Sequence, residues 1–398
     1  MRLYYLALSF GLCTLNTLTV QSQSITPIKS DNNCQFVVGD IFFEAAADYG
    51  GRISSFKIED NEILFNDKSN GASTWGSVLW PSPQSEWNWP PIETLDSKPY
   101  TFEVQENRCR MTSNIASGIK MRFIKDYYAA IEDTSITIVY KIINEGNSTK
   151  NNAAWEVTRV PPSGLFFYPT GDASATSGLS EYVDEIDGHS WYTNQESDNG
   201  GQKFFADGSQ GWYAHINADG YIFIKQFVDV ANDKHAPGEN EIELWLNSDK
   251  AYMELENQSA YAGIPAGDTL KYILKWYLRK LPDTLTVEAG NLALVDFVEK
   301  TIGDSVSDPD TGTGTEVDQA PNLSEMYIWP NPASNYIKIN TNSTSLSSVK
   351  IYTISGQLLA NDSVLNNGTL NISHLKKGIY LIKIETDSNI STRRLVVE

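Results

Sequence analysis

Between residues 36 and 302, apolar and polar positions alternate in short runs, and a 3.6-residue periodicity is almost absent. Residues 135–142, Ser-Ile-Thr-Ile-Val-Tyr-Lys-Ile, carry the clearest period of two, which places successive side chains on opposite faces of a strand. Shorter runs predict strands at 36–38, 41–43, 50–58, 62–65, 100–104, 120–124, 154–160 and 165–168. Others fall at 211–216, 221–226, 241–246, 251–256 and 270–278. Gly, Asn and Asp turns such as Asp60-Asn61 separate them. Many strands without intervening helices predict an all-β fold, a large antiparallel sandwich. Residues 292–300 predict one short terminal helix.

The pattern breaks at 79–91, Leu-Trp-Pro-Ser-Pro-Gln-Ser-Glu-Trp-Asn-Trp-Pro-Pro. Prolines fix φ and remove donors, so the expectation here is a loop with neither a helix nor a central strand. Trp80, Trp87 and Trp89 allow two readings. They plug one end of the sandwich, or they wall a sugar-binding cleft carried on a rigid scaffold.

Residues 303–322 hold almost nothing apolar and read as a flexible linker. Residues 323–398 return to short alternating runs, at 336–339, 349–352, 379–384 and 393–397, and predict a small second β-sandwich. At the other end, Arg2 precedes a mostly apolar stretch, and Val20-Gln21-Ser22 offers small residues for cleavage after Ser22. This leader, 1–22, is too short and wrongly flanked for a retained span, so no transmembrane segment is expected in the mature chain. Leu12 before Cys13 is poor for a lipoprotein signal. The expected organisation is leader 1–22, front domain 23–302, linker 303–322 and tail 323–398.

Composition narrows the function. A net charge of −20 excludes nucleic acid, which needs clustered Lys and Arg, and suits a well-solvated exported protein. Cys34 and Cys109 remain after leader removal. In an exported chain they form one disulfide or stay as two buried thiols. No His, Cys and carboxylate pattern has metal-ligand spacing, so neither a metal nor a cofactor is expected. His189 and His235 stand in polar, turn-like surroundings and are expected at the surface, and His374 belongs to the tail. His215, among aromatics on a strand, is a core histidine or a rim ligand.

The tail's Pro330-Asn331-Pro332-Ala333 opening, Ile351-Tyr352 with Gly356, Leu375 through Gly378-Ile379-Tyr380, and basic, apolar end occur in a set order. That order resembles the C-terminal sorting domain of the type IX secretion system of Bacteroidetes. The resemblance implies a partner in that machinery and passage through the outer membrane, with release or surface attachment.

Gly50-Gly51-Arg52-Ile53-Ser54 with Glu62-Ile63-Leu64 resembles the opening hairpin of the galactose mutarotase-like supersandwich. Glu254 to Gln258, Ile264 to Leu270 and Trp276-Tyr277-Leu278 look like its closing strands. Trp80 to Gln84, Trp87 to Pro91 and Trp155-Glu156-Val157-Thr158-Arg159 resemble a bacterial branch of that superfamily. The family pairs a glutamate base with a histidine acid. Glu256 matches the glutamate, with Glu254 on the same face two residues away. Arg159 stands where the acid histidine belongs. Arginine stays protonated, so it clamps a carboxylate or hydroxyl rather than shuttling a proton.

Alternation puts Trp155, Val157 and Arg159 on one face and Glu156 and Thr158 on the other. One of Glu156 and Arg159 is expected to be a surface charge. The leading expectation is an exported protein that recognises carbohydrate through Trp80, Gln84, Trp87, Trp89, Glu156, Arg159, His215, Glu254 and Glu256. Two alternatives stay open. One is an epimerase or a glycan hydrolase or lyase with Glu256 as base, and the other is a structural surface protein. A cleft joining the Trp loop to Glu256 and Arg159 favours binding or catalysis. Buried indoles without one favour a structural role.

Overall fold

A computed structural model describes residues 25–309 apart from 72, 195–199 and 304–305. Beyond these it describes 327–329, 333, 335–340, 346–353, 357–362, 369–386 and 390–397. The leader, most of the expected linker and the turn at Ser355-Gly356 lie outside the described residues. The chain divides into two compact units, 1–310 and 311–398. The first residues of the expected linker are tied to the front unit. Gln226 Nε2 donates to the Gly303 carbonyl at 2.6 Å, and Lys271 pairs with Asp308.

The front unit is all-β. An 11-stranded and a 10-stranded antiparallel sheet enclose one apolar core that includes Phe43, Phe56, Phe166, Phe223 and Trp276. Strand Ser135–Asn144 lies in the smaller sheet between Met121–Ala130 and Thr269–Lys280. Helix Leu292–Thr301 begins where Asn291 Oδ1 accepts from Ala293 N–H, a capping bond that satisfies an otherwise unpaired donor. Its Leu294, Val295 and Val298 pack on the outer face of the smaller sheet, against Phe167, Trp212 and Ile224. Cys34 and Cys109 are bonded, with S–S 2.07 Å. In the rear unit, strands Leu346–Thr353, Gly378–Thr386 and Ile390–Val397 pair over a separate core that includes Ile351, Ile382 and Leu395.

Three expectations need correction. Strand Ser77–Ser82 runs into the 79–91 stretch and lies centrally, pairing with Lys150–Val160. Its other neighbour, Arg52–Ile58, pairs with it only at Ile53 and Ser77. Pro81 therefore faces no partner on that side, and the missing N–H costs no ladder bond, as at a sheet edge. His189 is not in a turn. It opens strand His189–Thr193, its ring centroid 6.3 Å from Trp191 and 6.1 Å from Trp212. His235 is partly buried, its Nε2 3.4 Å from Asp207 Oδ1. Strands Arg108–Thr112, Val183–Ile186 and Gln202–Ala206 were not expected from the pattern.

Candidate functional site

The site is built on five neighbouring strands of the larger sheet and the Trp-Pro loop. Residues directly opposite each other in antiparallel strands share a face. Trp155 lies opposite Trp80 and Gln258, Val157 opposite Glu256, and Arg159 opposite Glu254. Glu243 lies opposite Glu256 and Trp245 opposite Glu254, while Lys203 lies opposite Trp245. One face thus gathers indoles, two carboxylates on strand Met253–Gln258, and the basic groups Arg159 and Lys203.

Gly50 shapes one flank. A Cβ there would stand 2.1 Å from the Asp96 carbonyl, and its φ is +71, so glycine alone permits this approach. Asp96 then pairs with buried Arg52 at 3.2 Å and accepts from Trp80 Nε1 at 2.8 Å. The held Trp80 indole makes edge contacts with Trp155 at 5.4 Å, Trp87 at 5.8 Å and Trp89 at 6.1 Å. Trp80 and Trp155 are buried, Trp87 donates to the Pro81 carbonyl at 2.7 Å, and Trp89 is 57% exposed. Gln84 contributes its backbone N–H, which donates to Glu239 Oε1 at 3.0 Å.

Arg159 is fully buried, its guanidinium 5.4 Å from the Trp80 ring centroid and 5.8 Å from that of Tyr252. Nη2 lies 2.6 Å from Glu254 Oε1, which is close charge contact. Tyr252 is the second hydrogen-bonding partner of Arg159, and a guanidinium carries five N–H groups, more than these two side chains take up. The pair is therefore an ion contact with donors to spare. Burial raises Glu254 above the ordinary carboxylate range, against the opposing pull of Arg159.

Glu256 Oε2 accepts from Trp155 Nε1 at 2.8 Å and from Lys203 at 2.7 Å, while Oε1 is buried with no donor among the described residues. Lys203 also pairs with Glu243 and lies over the Trp155 ring. Gln258 donates to Glu243 at 2.9 Å and accepts from Ser82 at 2.6 Å. One ammonium thus serves two buried carboxylates. Burial opposes the charge on Lys203, but Glu256 and Glu243 outweigh it and hold the ammonium protonated. Glu256 is pushed up to about 7, first by burial, which Lys203 opposes and Glu243 reinforces.

Two expected site residues stand elsewhere. Glu156 points between the sheets, where it pairs with Lys225 at 2.7 Å and accepts from Tyr140 at 2.7 Å and Trp276 at 3.2 Å. Neither it nor Arg159 is a surface charge, because each is buried beside an opposite charge. His215 lies in the smaller sheet, bonded to the Ser163 carbonyl at 2.7 Å, and burial lowers it to about 4. Sequence reasoning missed Lys203, Glu243 and Gln258. The alternation of Glu241, Glu243 and Trp245 carried a signal for Glu243. Nothing local marked Lys203, whose strand was not foreseen. A cleft of about 270 Å³ opens on the other flank of Trp87, and none of Arg159, Glu254 or Glu256 lines it.

Residues 327–398 match the secretion system C-terminal sorting domain family. The protein is thus an all-β chain with a type IX sorting tail, which implies export to the cell surface or the medium. A search of curated proteins found no match. Among solved structures, a TPR-domain containing protein from Parabacteroides distasonis is 15% identical, with a TM-score of 0.47. That match covers 65% of this chain and 49% of the other, so the chain spans about half of that protein. A putative aldose 1-epimerase from Escherichia coli K12 is 12% identical over 62% of this chain and 98% of its own, with a TM-score of 0.43. A galactose mutarotase-like protein from Clostridium acetobutylicum is 10% identical over 65% and 99%, with a TM-score of 0.44.

Proposed function

We propose that the front unit is an exported carbohydrate-recognition module. Its binding face is the Trp80, Trp87, Trp89 shelf with Arg159, Glu254 and Glu256 behind it. The observation that carries this reading is Arg159, a buried guanidinium with more N–H groups than its partners Glu254 and Tyr252 take up, touching the same indole that supports exposed Trp89. A buried donor without a partner is costly, and sugar hydroxyls or carboxylates are the acceptors a guanidinium fork suits. Trp89 offers a flat apolar plane to the C–H side of a pyranose, worth about 25 cal/mol per Å² buried. Of this set Trp89 is exposed and Lys203 partly so, whereas Arg159, Glu254 and Glu256 are buried, so a ligand meets Trp89 first.

The test is a glycan array on the full chain, followed by calorimetry with the glycan it identifies. Trp89→Ala should weaken binding about 10- to 100-fold, for a loss of roughly 1–3 kcal/mol. Arg159→Ala should weaken it further. If both variants fold and bind like the parent, the face is not the site.

A second reading has its own support. Glu256, with an unpartnered oxygen and a pKa near neutrality, has the properties of a general base. In an epimerase or a glycan-cleaving enzyme, Glu256→Gln abolishes turnover and spares binding. In a binding module the same change weakens affinity modestly. The cleft beside Trp87 does not reach Glu256 or Arg159, and Trp80 and Trp155 are buried, both of which favour the structural reading; the exposure of Trp89 does not.

A further inference from the structure

The tail has a surface chemistry of its own. Strands Leu358–Asp362, Leu346–Thr353, Gly378–Thr386 and Ile390–Val397 form one four-stranded sheet in that spatial order. Alternation sends Val349, Ile351, Ile382 and Ile384 to the buried core of the tail. The residues between them turn to the other face. There Tyr352 lies opposite both Leu358 and Leu381, which makes one row across three strands. Lys350 lies opposite Lys383 in the neighbouring row of the same face. Leu358 is 48% exposed, and Ile379, two residues before Leu381, is 46% exposed. A lone exposed aliphatic side chain is ordinary, but adjacent ones rimmed by charge mark an interaction surface.

Charge narrows the partner. Residues 327–398 hold five Lys and two Arg against four Asp and Glu, whereas the rest of the chain holds 23 Lys and Arg against 46 Asp and Glu. A basic tail on an acidic protein suits an acidic partner. Lys376 and Lys377, both exposed, lead into Ile379 on the same strand. The Lys376 carbonyl accepts from the Tyr380 hydroxyl at 2.7 Å, which ties that basic turn to the core. The match to the sorting family implies a partner in the secretion machinery and leaves open which surface meets it.

We infer that the secretion machinery reads the tail through this sheet face, by a protein surface with an apolar centre and an acidic rim. Burial of Leu358, Tyr352, Leu381 and Ile379 supplies affinity, and the lysines set orientation and exclude basic surfaces. An anionic membrane answers the charge alone. Insertion into lipid needs apolar groups that reach the acyl boundary, and Tyr352 and Leu381 stay half-buried in the sheet. The inference is independent of what the front unit binds.

The test is delivery of the full chain in cells that carry the type IX machinery, read by fractionation. Leu358→Asp and Ile379→Asp place a carboxylate on this face and leave the core intact. Each should cut delivery about tenfold or more. Lys350→Glu with Lys383→Glu should do the same. Tyr336→Asp is the control, because Tyr336 is 51% exposed on the other sheet of the tail and its variant should be delivered like the parent. Urea unfolding of the purified chains should find the face variants as stable as the parent. A photocrosslinking residue in place of Ile379 gives a readout that does not depend on those variants folding. Its adduct should be with a protein whose deletion also stops delivery. Delivery of the face variants at the parent's level overturns the inference, as does equal failure of Tyr336→Asp. An adduct only with the front unit or with a second copy of the chain overturns it too. Binding to phosphatidylglycerol vesicles that is lost in the lysine variant, with no protein adduct, assigns the face to lipid and also overturns it.

Discussion

Replacing Glu256 with glutamine should flatten the dependence of stability on pH. In the folded protein this carboxyl is pushed from an ordinary 4.5 up to about 7. A raised folded pKa means that the contribution to stability is complete below about 4.5 and is lost as pH climbs through about 7. The full shift corresponds to roughly 3 kcal/mol at about 1.4 kcal/mol per unit, and most of it, about 2–3 kcal/mol, falls between about pH 5 and pH 8. The cause is structural. Two buried carboxylates share Lys203, so ionising both leaves one negative charge uncompensated beneath the indoles. Glutamine at 256 keeps an acceptor for Trp155 Nε1 and cannot ionise, and Glu243 then has Lys203 to itself. Other buried groups also titrate. Asp229 is raised to about 6 by burial, while burial lowers Lys125 to about 7 and Lys225 to about 8. Both proteins share these, so the difference between their profiles isolates the Glu256 cluster. The assay is urea unfolding followed by tryptophan fluorescence at about pH 5, 6.5 and 8. The parent should lose more stability than the variant as pH rises. Parallel profiles would refute the argument that the shared ammonium leaves a proton on this pair.

The remaining predictions concern the frame and the tail. Lys225→Met leaves Glu156 charged and unpaired between the sheets, which should cost about 3–5 kcal/mol in chemical denaturation. A loss under about 1 kcal/mol would show that Glu156 protonates or reaches water. Cys34→Ser with Cys109→Ser opens a loop with a sequence separation of 75. Chain entropy puts the loss at roughly 4 kcal/mol, to be compared with the parent under non-reducing conditions. A chain lacking residues 327–398 should accumulate inside the outer membrane with its front unit folded, as fractionation and circular dichroism would show. Normal surface delivery of that truncation would contradict the role of the tail.

Local sterics and burial wrote the strands into the chain. Period-two alternation at 135–142 and 154–160 was legible because a pleated backbone sends neighbouring side chains to opposite faces. It also separated Trp155, Val157 and Arg159 from Glu156 and Thr158, as the registers show. Alternation is silent on which face turns inward, so one of Glu156 and Arg159 was expected in solvent when both are buried. Pro81 looked incompatible with a central strand, because a missing donor matters only where a partner strand would accept from it. The charged cluster was invisible for a related reason. Lys203, Glu243 and Glu256 belong to three strands that meet only through sheet register. The disulfide likewise joins cysteines whose approach depends on the packed core. The chain carries its strands and their two faces in short-range pattern. Pairing across distant segments, settled by how the two sheets close on one core, decides which charges meet, which stay unpaired and which indole is left in solvent.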